Sequence, residues 1–466
     1  MITVPVFGPT RREGQSLRLS AVARTCLMIA VLLAITGCGS ASTGTKPTHP
    51  SVTKVSTKSP NTISTTNSVT ADQNLPTPTI TLFTKGLPTS ASQWGVHHLV
   101  AGPDGNVWFT GSWDTNSAPP DSSVTHGFVG RITVEGQITL FTKSLTPVYR
   151  LGAITPSPDG SLWFSEELPF PNNASHGTWV IGQITPSGAI TMFPSALGSV
   201  KPLSIGGSSG DIVAGSGGDL WLSGAIGNPY GTIRGAIWRL TPSGIATIFT
   251  KGLPNSGAPG PLLAGPGGNI WFALGQITPS GVVTSFSSSL PAGVGVGVLA
   301  IGPDGNLWFT AQSGPRGPGA IGRITTAGTV TLFTKGMPSG LPGDIVAGPD
   351  GNLWFTLSSP AAIGRITPSG TISVFTNGLS SSPSALLGNL VAGADGNLWF
   401  TVQTGAGPGA IGCITPAGNI SLFTNGLLAG GQPGFNLTAG AGGSLWFTDS
   451  AFVNGSTVTA IGRIIP

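Results

Sequence analysis

Only 8% of the 466 residues are charged and five are histidine, so groups able to do chemistry are few. Four of the five histidines crowd into one stretch. His97, His98, His126 and His176 lie there with Glu166 and Glu167, and with Trp113, Asp114, Asp121 and Phe170. An imidazole moves protons near neutral pH. Carboxylates accept hydrogen bonds or hold a divalent cation through oxygen, and aromatic rings line ligand pockets. The fifth histidine, His49, stands in a low-complexity segment and reads as a bystander. Other constellations are missing. There is no Gly-Lys-Ser or Gly-Lys-Thr for a phosphate loop, no Cys/His cluster with zinc spacing, and no Gly-x-Ser-x-Gly in a strand-to-helix context.

The elements that must position these residues are short strands. Gly (73) and Pro (40) make up about a quarter of the chain and rule out long helices. A phrase of the type AGPDGNLWFT recurs, with tryptophans at 108, 163, 221, 271, 308, 354, 399 and 446. Each copy is followed by a relative of IGRITPSGTITLFT. One unit is therefore an apolar strand, an Asp-Gly-Asn turn, a Leu-Trp-Phe-Thr strand, a variable loop, an Ile-Gly-Arg-Ile strand, a Pro-Ser-Gly turn and an Ile-Thr-Leu-Phe strand. Asp-Gly tolerates positive φ in a tight hairpin, and Pro pre-sets the second turn. Four such strands make a twisted sheet that cannot bury both faces alone, so copies pack face to face around an axis. The repeated tryptophans read as packing between blades. The count predicts an all-β, eight-bladed propeller with four-stranded blades. An early strand at Thr79–Thr84 is expected to complete the last blade, which otherwise ends after its third strand. The unit around Trp271 is the weakest, because only Ala273-Leu274-Gly275 joins its second and third strands.

Residues 26–36 form an apolar run behind Arg11, Arg12, Arg18 and Arg24, too short to span a bilayer, and read as a signal-peptide core. Ile35-Thr36-Gly37-Cys38 resembles the bacterial lipobox, which implies lipidation of Cys38 and a chain exported and anchored by lipid to the bacterial envelope. The expected organisation is a signal peptide at 1–37, a Ser/Thr/Pro-rich tether at 38–78 and a propeller at 79–466. With Cys26 removed, Cys38 lipidated and Cys413 alone, no disulfide is expected. From Thr79 onward 5 Lys and 8 Arg face 11 Asp and 3 Glu, so the folded part lacks the basic footprint of a nucleic-acid binder. One propeller on a long tether suggests a monomer.

The repeat GPDGNLWFT…IGRITPSGTITLFT resembles the streptogramin B lyase (virginiamycin B lyase) family over nearly all of residues 79–466. The resemblance implies a propeller whose characterised members have seven blades, which makes seven the alternative count. It also implies an Mg²⁺-dependent carbon–oxygen lyase that opens a cyclic peptide lactone by elimination. Family histidines stand eleven residues before the repeat tryptophan and the family glutamate three after it. Here those positions give His97 as base, Glu166 as acid or metal ligand and Asp449 as a second metal ligand. Their blades, 8, 1 and 2, are neighbours in a closed ring. A second family histidine has no counterpart at the matching position, where the other blades carry Gly or Phe435. His126, His176, Trp113, Asp114, Glu167 and Phe170, on the long loops of blades 1 and 2, are candidate binding residues on the same face. His98, one residue along the strand, is expected to turn into the layer between blades. Arg131, Arg323, Arg365 and Arg463 recur at one blade position and read as structural or solvated. Two functions stand open: a binding module for a small cyclic peptide, a glycan or a protein, and a lyase using His97.

Overall fold

The computed structural model describes residues 77–88, 93–115, 124–145, 150–170, 173–194, 204–205, 212–227, 233–253, 258–273, 275–286, 289–314, 317–379, 384–405, 407–453 and 456–466. The signal-peptide, Cys38 and tether assignments and Asp121 lie outside these residues. Asp114, Phe170 and His176 are described only as backbone in strands.

Among the described residues, eight antiparallel sheets follow one another along the chain, one for each tryptophan repeat. In blade 1 the strands are, from the axis outward, Gln93–Ala101, Val107–Thr115, Val124–Ile132 and Ile138–Phe141. In blade 2 they are Arg150–Pro156, Leu162–Phe170, Asn173–Ile184 and Ile190–Phe193. Blade 8 joins both ends of the propeller. Its inner strands are Gln432–Ala439, Leu445–Val453 and Ser456–Ile465, and its outermost is Thr79–Phe83, antiparallel to Ser456–Ile465 with Thr79 opposite Ile465. The innermost strand of blade 8 packs on that of blade 1, as blade 1 does on blade 2. Blade 4 is the smallest, with two residues in its innermost strand and three in each of the others.

The side-chain period of two gives each blade two distinct faces. Trp108 clusters with Leu151, Leu162 and Phe164 of blade 2, whereas Phe109 and Phe128 cluster with Trp446 and Ile461 of blade 8. Trp399 against Phe447, and Trp354 against Phe400, repeat the pattern. On every second strand the tryptophan face therefore looks toward the following blade and the phenylalanine face toward the preceding one. Burying a tryptophan of roughly 200 Å² stabilises by about 5 kcal/mol as an upper figure.

The recurrent polar residues clamp the blades from below. In blade 6, Trp354 Nε1 donates to Asp350 Oδ1 at 3.0 Å and Asn352 Nδ2 donates to Oδ2 at 2.8 Å. The Arg365 guanidinium lies 5.4 Å over the Trp354 ring and 5.5 Å over Phe375, and donates to the Pro416 carbonyl of blade 7 at 2.8 Å. Arg131, Arg239, Arg323 and Arg463 likewise reach the third-to-fourth-strand turn of the following blade, at Pro186, Pro279, Pro368 and Val134. These arginines are structural. In blade 7 the position is Cys413, wholly buried, and the following blade has no such turn because its third and fourth strands come from opposite ends of the propeller. The glycine beside the arginine has its own cause: a β-carbon on Gly364 would overlap the Phe355 ring directly across the sheet.

Candidate functional site

The blades are unequal at the end where second and third strands meet. Those strands run to 9 and 9 residues in blade 1, 9 and 12 in blade 2, and 9 and 10 in blade 8. Blade 3 has 8 and 8, whereas blades 6 and 7 have 6 and 5. The long hairpins form a raised wall over one sector, and the candidate site residues stand on it or at its foot.

His97 sits at a bulge. The innermost strand of blade 1 slips register between Val96 and His98, which makes His97 the extra residue. A bulge re-aims a side chain, and here His97 Nε2 lies 2.8 Å from Ser112 Oγ on the second strand. Its backbone is also held, since the Asn436 amide of blade 8 donates to the His97 carbonyl at 2.8 Å. Ser112 shares its face with Trp108 and Thr110, the face toward blade 2. Glu166 shares the face of Leu162 and Phe164, which looks back at blade 1. Sequence and sheet alternation thus bring His97, Ser112 and Glu166 to one interface, with Glu166 only 1% exposed. His98, opposite Thr110, is buried.

The other candidates go elsewhere. Trp113 and His126 are cross-strand partners stacked at 5.6 Å, and Trp113 stacks on Phe128 at 5.4 Å. Phe128 meets Phe109 edge-on at 6.1 Å, so a spine of rings runs from the core up the blade 1 hairpin on the side toward blade 8. Glu167, buried and opposite Trp179, takes the Trp163 face toward blade 3.

Asp449 does not join His97 and Glu166, which corrects its expected pairing around a metal. It shares the face of Phe447, toward blade 7. Its carboxylate is fully buried under the loop that enters blade 8, where Leu428 N–H donates to Oδ2 at 2.7 Å and Gly431 leaves room for it. Burial raises its pKa against the hydrogen bonds from Leu428 and Ser450 N–H. Oδ1 has no partner. Two carboxylates on different interfaces do not fit a shared Mg²⁺. Among the described residues, no three or more His, Cys, Asp or Glu side chains gather into a metal site.

The structure also shows polar residues that sequence reasoning passed over. Ten residues before the repeat tryptophan stand Asp344, Asn389 and Asn436, one position along from the glycine-rich set that includes His97. They stitch adjacent blades around the axis. Asp344 Oδ2 accepts from Leu390 N at 2.8 Å. Asn389 accepts from Leu437 N at 2.7 Å and donates to Leu437 O at 2.8 Å. Bulges free backbone groups that must find partners, and these side chains supply them. Burial pushes the Asp344 carboxyl up to about 6, against the N–H groups of Leu390 and Ile345. The available signal was a polar residue at a fixed place in an apolar strand.

A model of the virginiamycin B lyase family matches residues 207–465. No curated protein matches the sequence. Among solved structures, a streptogramin B lyase is similar at 21% identity and a TM-score of 0.47, covering 83% of this chain and 97% of its own. A catalytically inactive histidine-to-alanine form of virginiamycin B lyase from Staphylococcus aureus, with quinupristin, is similar at 22% identity and a TM-score of 0.47, covering 84% of this chain and 100% of its own. With the family match covering more than half of its length, and eight sheets built on the repeat that carried the resemblance, the chain belongs to the virginiamycin B lyase family.

Proposed function

We propose that this protein is a lipid-anchored, extracytoplasmic binding propeller that takes a small cyclic peptide on the raised face of blades 8, 1 and 2. The observation that carries the reading is the asymmetry of the ring: long hairpins stand on these blades and not on blades 6 and 7. The aromatic spine through Trp113 and His126 stiffens one hairpin, and a rigid scaffold bearing polar loops is a usual setting for a ligand site. Family membership supports a peptide lactone as the ligand class. Calorimetry of the full chain with a type B streptogramin tests binding, and saturable association is expected.

A second reading, ring opening by elimination, is favoured by one observation: His97 and Glu166 share the interface between blades 1 and 2. His97 would take the proton α to a carbonyl as the bond from the β-carbon to the ester oxygen breaks, leaving an alkene and a free carboxylate. Elimination leaves the mass unchanged, so chromatography of the same mixture, with and without Mg²⁺, detects it. Turnover lost in His97→Ala supports the elimination; intact ligand at high protein concentration contradicts it.

A further inference from the structure

We infer that Ser112 and His97 form a nucleophile–base pair able to cleave carboxylic esters without a metal, an activity separate from elimination. Three observations carry this. First, His97 Nε2 lies 2.8 Å from Ser112 Oγ, the contact an activated serine needs. Both residues are only half-buried, so a substrate can reach them. Second, the partner is unusual for this blade position. The equivalent Ser358 donates to the Leu341 carbonyl, Gln403 to the Pro433 carbonyl at 2.8 Å, and Ser450 pairs with the Thr459 hydroxyl at 2.9 Å. Third, the space beside the hydroxyl is open. Ser112 faces Gly95 across the sheet, and a β-carbon on Gly95 would meet nothing within 4 Å. Blades 6, 7 and 8 place Leu341, Leu386 and Gln432 there, whereas blade 5 keeps a glycine, Gly295, opposite Gln312.

The base is also positioned from two sides, by Ser112 at its ring and by Asn436 at its carbonyl. With the imidazole proton on Nδ1, Ser112 donates to Nε2. Ser112 Oγ attacks the acyl carbon while its proton passes to Nε2. The bond from the acyl carbon to the alkoxy oxygen breaks, and the leaving alcohol takes that proton. Water then attacks the acyl-serine and gives a proton to Nε2, and Ser112 Oγ leaves and recovers it. An acid and an alcohol result, with no change of oxidation state.

The test is labelling of the full chain by a fluorophosphonate, mapped by peptide mass spectrometry, with p-nitrophenyl acetate hydrolysis followed in parallel. The expected result is an adduct on Ser112 that disappears in Ser112→Ala and forms about 100-fold or more slowly in His97→Ala. Gly95→Leu, which restores the side chain found in blades 6 and 7, should block labelling while the melting transition stays cooperative. A folded parent chain without an adduct on Ser112, or an adduct formed equally fast without His97, overturns the inference. Neither result bears on streptogramin binding, which calorimetry reads separately.

Discussion

Replacing Asp344 by Asn should make the propeller more stable at neutral pH and leave it unchanged in acid. The site is a stitch between blades 6 and 7, where the carboxyl accepts from Leu390 N. One blade further on, Asn389 shows what an amide does there: it accepts from Leu437 N and also donates to Leu437 O. A carboxylate can only accept. Asp344 is half-buried as a residue, yet its carboxyl is enclosed, and desolvation raises its pKa from 3.8 to about 6. The sign follows from proton counting. Between those values the folded chain holds a proton that the unfolded chain has lost, so this group's contribution is full below pH 3.8 and is lost as pH rises through about 6. The rise corresponds to about 3 kcal/mol as an upper figure. Urea denaturation of parent and Asp344→Asn at pH 4 and pH 7.5 isolates the group, because every other titrating residue is common to both. The variant should gain about 1–3 kcal/mol at pH 7.5 and almost nothing at pH 4. A loss at pH 7.5, or an equal change at both values, would refute the reasoning.

Other substitutions probe the frame. Arg365→Ala removes the bond to Pro416 O and the stack on Trp354 and Phe375, and should cost about 1–3 kcal/mol in urea denaturation. Gly364→Ala, forced against the Phe355 ring, should cost about as much through overpacking, seen as a lowered melting temperature. Burial, with the Asp395 charge nearby, pushes the Cys413 thiol up to about 12. Thiolate is the reactive form, so peptide mapping after treatment with a thiol reagent should find Cys413 modified only in denaturant.

The fold was legible because each local choice repeats. Trp354, Asp350 and the turn glycines recur in register, and a repeated phrase fixes a repeated shape. The arginines were legible as structural, but their acceptor is a backbone carbonyl of the following blade, which no residue type announces. At the site, counting along the repeat placed Asp449 and Glu166 at one blade position without saying which neighbour each faces. Alternation answers that only once the packing partner of each face is known: blade 7 for Asp449, blade 1 for Glu166. Ser112 escaped notice because a serine in a strand is unremarkable until a bulge turns His97 onto it. Asp344, Asn389 and Asn436 were hidden by the same bulges, which create the backbone groups these side chains satisfy.

The most direct measurement of the central claim is amide hydrogen exchange of the full chain with and without a saturating type B streptogramin. The account predicts protection concentrated in the hairpins of blades 1 and 2, residues 107–132 and 162–184, and in that of blade 8, with blades 4 to 7 unchanged. Protection centred on blades 4 to 7, or none at saturating ligand, would contradict it.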